Sequence, residues 1–322
     1  MTSISFTLND LTASAYLYTY ACHEDEQQLC AMELRALFGQ EPESRRFTRS
    51  TVRLDPSRSP FIRFRIAAQL EAASLDELAA KAESLDLQGD TFKLQYVEAE
   101  GEASYDEQRA IERAVGLHVR GKADMKTPQR LLGLAQAGGR WLLGECRRSE
   151  ALWLAHSRKP RQYSTALGTR VARAAVNIAV PRPEGVRAVD PCCGIGTVLV
   201  EALSMGIDIV GSDLNPLAVR GARENLHHFG FPDVVKIADI RSLDGDYDAL
   251  ILDMPYNLCS RISREEQLDM LRSARRLARR AVVITAEPID GPLAQAGFEV
   301  DDRCVVRKGS FERQVILCRP KL

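Results

Sequence analysis

No run of about 18 apolar residues occurs anywhere in the 322-residue sequence, so no membrane-spanning helix is expected. Residues 1–10 are polar and lack a basic segment leading into an apolar stretch, so no secretory leader is expected and the chain reads as cytoplasmic. The eight cysteines form no C-x-x-C pair, and Cys192 and Cys193 are adjacent, which is unsuitable for an ordinary disulfide. Reduced thiols and no bound metal are the expectation. An excess of positive charge is missing as well. The formal net charge of −1 supplies no global attraction for a nucleic acid. Neither repeats nor low-complexity tracts interrupt the chain.

What is present suggests two ordinary cores, since the length is about twice that of a usual domain and the hydrophobic content is 45%. Charge is unevenly distributed. Between Arg140 and Arg173 lie Arg147, Arg148, Arg158, Lys159, Arg161 and Arg170 against only Glu145 and Glu150, whereas residues 98–112 are strongly acidic. A local basic surface is therefore as plausible as a solvated face with scattered arginines.

The carboxy-terminal half alternates apolar strands with helices. Strands are expected at Val186–Val189, Ile207–Gly211, Val234–Ala238, Ala249–Leu252 and Ala281–Thr285. Helices are expected at Thr197–Met205, at Pro216–Phe229 with Asn215 as N-cap, and at Arg264–Arg280. This pattern implies an α/β fold with a mostly parallel sheet wound on both faces. Phe298–Arg307 and Phe311–Cys318 are joined by Lys308, Gly309 and Ser310, too short for a parallel crossover, so an antiparallel terminal hairpin is expected. The first half reads as a smaller α+β domain. It has helices near Asp25–Phe38, Leu75–Ser84 and Asp106–Leu117, an Arg-rich polar region over Arg45–Arg65, a strand at Phe92–Val97, and a hairpin over Arg130–Cys146 turning at Gly138 and Gly139. Arg158 to Ser164 reads as a linker.

The densest signal is Asp190-Pro191-Cys192-Cys193-Gly194-Ile195-Gly196-Thr197, where a strand hands over to a helix. A dinucleotide fingerprint would need a glycine where Leu199 stands, and a Walker loop would need an absent Gly-Lys-Ser/Thr. An acidic residue ending the next strand, Asp213, suits ribose hydroxyls, as in dinucleotide folds. Together D-P-x-C-G-x-G-T and the following G-S-D resemble the first two motifs of Rossmann-like S-adenosylmethionine methyltransferases. The resemblance implies that Asp190, Gly194 and Gly196 face the methionine part of S-adenosyl-L-methionine, Asp213 the ribose, and Asp239 with Ile240 the adenine. Cys192, Thr197 and Leu214 complete the expected cofactor site.

The fourth strand ends in Asp253-Met254-Pro255-Tyr256-Asn257, at the edge where open α/β sheets bind ligands. This resembles the D/N-P-P-Y motif of methyltransferases acting on amino nitrogens of bases, with Met254 where proline is usual. An exocyclic amine is a poor nucleophile because its lone pair is delocalised into the ring. A carboxylate, Asp253, and a backbone carbonyl, that of Met254, would accept its two N–H bonds and favour a pyramidal nitrogen. Pro255 restrains Met254 to extended dihedrals, and Tyr256 would stack on the base. Cys259 as a thiolate nucleophile for carbon methylation is the weaker alternative. His227 and His228 point in different directions on one helix.

Tyr163-Ser164 and Leu167–Ala179 resemble the helix leading into the catalytic domain of the THUMP-containing tRNA guanine-N2 methyltransferases, and Lys122–Pro128 resembles a loop of their THUMP domain. The resemblance spans roughly Phe92 to Tyr256. It implies a ferredoxin-like plus THUMP-like RNA-binding region at 1–157 and a methyltransferase domain with a seven-stranded sheet at 158–322. It also implies a tRNA substrate methylated at guanine N2. Lys122, Lys126, Arg158, Lys159 and Arg161 are the candidate phosphate contacts. Methylation of adenine or of ribosomal RNA, and a non-catalytic tRNA-binding protein keeping the cofactor fold, are the alternatives.

Overall fold

The computed structural model describes residues 15–163, 166–255, 262–309 and 311–321. They divide into two compact units. One holds the described residues up to Ala21 together with Pro42–Glu150, and the other holds Cys22–Glu41 and the described residues from Ala151 onward. Helix α1 (Gln27–Phe38), which the sequence reading places in the amino-terminal domain, belongs to the second unit. No described helix is long and apolar enough to cross a membrane.

The first unit is a six-stranded sheet in the order β2-β1-β3-β6-β5-β4, from β1 (Tyr16–Tyr20), β2 (Phe47–Ser50), β3 (Ile62–Ala72), β4 (Phe92–Tyr96), β5 (Arg130–Ala137) and β6 (Arg140–Arg148). Only β4 and β5 pair in parallel. Helices α2 (Leu75–Ala82) and α3 (Tyr105–Gly116) cover one face, burying Leu78, Ala82 and Val115 against Leu94, Leu132, Leu134 and Leu143. The α3 start is fixed by a reciprocal Ser104–Glu107 capping box. The region over Arg45–Arg65, read from sequence only as Arg-rich and polar, contains β2 and the start of β3. Buried Phe47 and Ile62 stand there among buried polar Thr48 and Arg65 and exposed Arg63, so no clean apolar–polar alternation marks the strands. At Gly144 a Cβ would lie 1.8 Å from the Ala67 carbonyl oxygen, so β3 and β6 approach there through bare backbone.

The second unit continues with α4 (Trp153–His156), α5 (Thr169–Ala179), β7 (Arg187–Asp190), α6 (Thr197–Ser204), β8 (Asp208–Asp213), α7 (Pro216–His228), β9 (Val235–Ile237) and β10 (Ala249–Asp253). It ends with α8 (Arg264–Leu277), β11 (Ala281–Thr285), α9 (Asp290–Ala296), β12 (Phe298–Lys308) and β13 (Phe311–Pro320). The seven strands lie in the order β12-β13-β11-β10-β7-β8-β9. The pairings among β7, β8, β9, β10 and β11 are parallel, and β13 is antiparallel to both β11 and β12. This is the Rossmann-like methyltransferase order, with the antiparallel end expected from the short Lys308–Ser310 connection. Helices α4 and α9 have no counterpart in the sequence reading. One sheet face packs Leu250, Leu252, Val283 and Ile316 against Leu271 and Leu277 of α8 and Leu293 of α9. Helix α5 is buried along nearly its whole length and contacts α1, β10 and β11. Within that packing Asn177 Nδ2 donates to buried Glu33 Oε1 at 2.6 Å, so the α1–α5 interface carries a satisfied polar lock.

Candidate active site

Strand order reverses between β7 and β10: the chain builds outward from β7 through β8 and β9, then returns to β10 and builds the other way. Ligands of open α/β sheets bind outside the carboxyl ends of the strands at such a reversal. The last residue of β7 is Asp190 and the last of β10 is Asp253. The two strongest sequence motifs are thus brought to one crevice.

The loop after β7 is folded tightly against the end of β8. Cys193 N–H donates to the Ser212 carbonyl at 2.8 Å, Gly194 N–H to Asp213 Oδ2 at 2.9 Å, and Gly196 N–H to the Cys193 carbonyl at 2.8 Å. Gly194 and Gly196 have φ of +52° and +77°, which L side chains rarely adopt. A Cβ on Gly194 would also lie 2.7 Å from the Tyr163 hydroxyl. At Gly196 a Cβ would lie 3.2 Å from the Ala222 Cβ, so both glycines serve a left-handed turn packed closely on its neighbours. Thr197 is buried at the first position of α6, and Cys192 is half-buried. Asp213 is half-buried and also accepts from Asn215 N–H at 2.8 Å, which helps set the start of α7. Asn215 itself caps α7, with Pro216 at the first helical position. Leu214 is exposed beside it.

Negative charge is concentrated at this crevice. Burial pushes the Asp190 carboxyl well above its ordinary value, and Asp253 and Asp213 push it further. The Tyr163 hydroxyl is pushed up to about 12 by burial and then by Asp213, Asp253 and Asp190. Tyr163 thus stands among the site carboxylates although the site reading omitted it; its only signal was its place in the segment preceding α5. Asp253 is pushed up to about 7 by burial, an effect opposed by Arg313. Its Oδ1 is buried and has no hydrogen-bond partner among the described residues.

The remaining candidates fall out differently. Met254 is buried in the core under α8 and α9, and its N–H donates to the Ile284 carbonyl at 2.9 Å. That bond ties the strand end to β11, and the following Pro255 is exposed. Tyr256, like Cys259, lies outside the described residues. Asp239 caps a short 3-10 turn and is engaged by Arg241, whose Nε donates at 3.0 Å, while Ile240 is buried. Lys122 and Lys126 are exposed in the first unit and Arg158 is exposed in the second. Lys159 is a correction: it is buried near Glu201, and burial lowers its ammonium pKa, so it is not presented to a phosphate. Arg161 is ion-paired with Glu224.

Beneath α6 lies a buried charged network. Arg173 Nη1 donates to Glu201 Oε2 at 2.6 Å, and His156 Nδ1 lies 2.7 Å from Glu201 Oε1. The network joins α4, α5 and α6 and so anchors the helix that carries Thr197. No sequence spacing links the three residues.

Residues 156–290 match the family described as UPF0020, RMKL-like, methyltransferase domain. The matched residues lie within the second unit. The tRNA (guanine(10)-N2)-dimethyltransferase of Methanothermobacter thermautotrophicus is 31% identical over 177 residues, 51% of this chain and 52% of that protein. The protein of the same name from Pyrococcus abyssi is 35% identical over 105 residues, 31% of each chain. The chain spans about half, or less, of the length of these curated relatives. Among solved structures, TrmN from Thermus thermophilus is similar with a TM-score of 0.49 and 22% identity, covering 95% of this chain and 99% of that one.

Proposed function

We propose that this chain transfers a methyl group from S-adenosyl-L-methionine to the exocyclic N2 of a guanosine in tRNA. The observation that carries the reading is Asp253. Its Oδ1 is a buried acceptor without a partner among the described residues, at the strand reversal and beside the glycine loop. An unsatisfied buried oxygen costs about 1–3 kcal/mol, a cost that an N–H donor arriving with the substrate removes. The tRNA and guanine assignments rest on the names of the relatives and on the resemblance of Lys122–Pro128 and Leu167–Ala179; the proposed place of action is the cytoplasm.

The residues present fit the cofactor. S-adenosyl-L-methionine carries a sulfonium and an ammonium, and the crevice presents Asp190, Asp213 and Asp253, where Asp213 and Asp253 disfavour ionisation of Asp190, a repulsion that a cationic ligand would relieve. The Gly194–Gly196 turn would carry its methionine part, with Asp190, Cys192 and Thr197 around it. Asp213 and Leu214 would hold the ribose. Ile240, being buried, would meet the adenine through backbone rather than side chain, beside Asp239. When bound, the cofactor supplies an electrophilic methyl group. The protein's own contribution is alignment: Asp253 accepts one N–H of the amine and the Met254 carbonyl the other, turning the nitrogen lone pair out of the ring plane. The tight tie of Met254 to β11 supports that carbonyl direction where the usual proline is missing. Such alignment can supply roughly 7–11 kcal/mol, more than the 10²- to 10⁴-fold typical of general base catalysis.

Lys122, Lys126 and Arg158 are the proposed phosphate contacts, positioning the RNA rather than reading its sequence. The deciding experiment is mass spectrometry of nucleosides from unmodified tRNA incubated with protein and S-adenosyl-L-methionine, beside an Asp253→Ala control. N2-methylated guanosine that disappears in the control is the expected outcome. A different methylated base overturns the guanine assignment, and no product with tRNA still bound favours a binding protein without turnover.

A further inference from the structure

Arg313 belongs to no motif, yet the strand registers bring it to the crevice. Asp253 of β10 is in register with Ile284 of β11, and Ile284 with Val315 of β13. Registered neighbours share a sheet face, as do residues two apart on one strand. Arg313 therefore lies on the same face as Asp253. Strand β13 runs antiparallel to β11, whose last residue, Thr285, is opposite Gln314, so Arg313 stands one step beyond the carboxyl end of β11. At this level the other sheet face is filled by Met254, Val283 and Ile316. The Arg313 guanidinium carbon sits 5.1 Å from the centroid of the Phe311 ring, a cation–π contact that restricts where the charge is held.

Resting on the methyl-transfer reading above, we propose that Arg313 is a positioning residue whose guanidinium is the countercharge that keeps the Asp253 carboxylate an acceptor for the target amine. The need for one follows from the surroundings. Among the described residues, Asp190, Cys192 and Tyr163 are the other titratable groups that sense the Asp253 charge, and none of them supplies a cation. Burial favours the neutral acid, and Arg313 is what opposes it; reciprocally, Asp253 supports the Arg313 charge against burial of the guanidinium. A neutral Asp253 would carry an O–H donor towards an N–H donor, and the amine would lose its alignment.

The test is the single-turnover rate of tRNA methylation against pH for the wild type, Arg313→Met and Arg313→Lys. In Arg313→Met the acid limb is expected to move to higher pH, the direction given by losing a positive charge that opposes protonation. That makes the variant slower than the wild type below the limb, with the rate recovered at high pH. Arg313→Lys keeps the charge and is expected to keep the limb near its wild-type position. A loss equal at every pH, or no loss, overturns the proposal. A second readout needs no turnover: carbon-13 NMR of the aspartate carboxyl carbons, with Asp253 identified through Asp253→Asn. Its titration midpoint is expected to rise in Arg313→Met, and an unchanged midpoint overturns the pairing. Absence of methylated tRNA from the wild type would instead refute the enzyme assignment, while the NMR midpoint still decides the Arg313–Asp253 pairing.

Discussion

Replacing Asp253 by asparagine is expected to abolish methyl transfer and to stabilise the protein increasingly as pH rises. Burial raises this carboxyl from 3.8 to about 7. Because the folded value lies above the unfolded one, the folded protein holds more protons between about pH 4 and 7, and wild-type stability falls through that window. Below it both states hold the neutral acid; above it the cost of the buried charge is fully present. At about 1.4 kcal/mol per pH unit the step is worth about 4 kcal/mol, an upper bound because local relaxation reduces the cost. Asparagine is neutral throughout. Its own unsatisfied amide costs about 1–3 kcal/mol but does so equally at every pH. The difference in stability between the two proteins should therefore grow from pH 4 to 7 and level off above it. Denaturant titration in a Trp141→Phe background leaves Trp153, in the second unit, as the single tryptophan of the two in the chain and reports on the relevant unit. A difference that stays flat across this range would refute the burial argument.

Four further outcomes follow from the same geometry. Methyl transfer by the wild type should slow as pH drops below about 7, since a protonated Asp253 no longer accepts; a rate flat from pH 6 to 8 would contradict this. Gly194→Ala combines a positive φ with a Cβ 2.7 Å from the Tyr163 hydroxyl, whereas Gly185→Ala at φ +72° meets nothing within 4 Å. Calorimetry should therefore show weakened S-adenosyl-L-methionine binding in the first and not in the second, and equal affinities would count against the loop. Arg173→Met leaves buried Glu201 with His156 but without its guanidinium partner and should cost up to about 3–5 kcal/mol of stability. The double variant Arg173→Met/Glu201→Leu should recover most of it, as chemical denaturation would show. Replacing Lys122 or Lys126 by alanine should flatten the logarithmic salt dependence of tRNA binding by up to about 0.7–0.9 per contact; an unchanged slope removes that residue from the phosphate contacts.

The parts of this protein legible from sequence are those governed by local rules. Strand–helix alternation placed β7 to β11, a Pro preceded by Asn marked the start of α7, and a three-residue connection forced the antiparallel end of the sheet. The first unit was harder because its strands carry arginines: Phe47-Thr48-Arg49-Ser50 holds a single apolar residue and no alternation, and β3 shows its apolar face only once Ile62 and Ile66 are known to be buried. The candidate site divides in the same way. Asp190, Gly194, Gly196, Asp213 and Asp253 end or follow strands, so each is visible as punctuation in a periodic pattern. Lys159 was misjudged because a lysine beside Arg158 and Arg161 reads as surface charge, while only the fold reveals the buried Glu201 near it. Arg313 lies sixty positions after Asp253 and the Arg173–Glu201–His156 network is split over three helices, so no window of sequence contains either. Groups that meet only through sheet order and helix packing depend on topology, and in this chain they are the ones that surround and support the motif residues rather than the motif residues themselves.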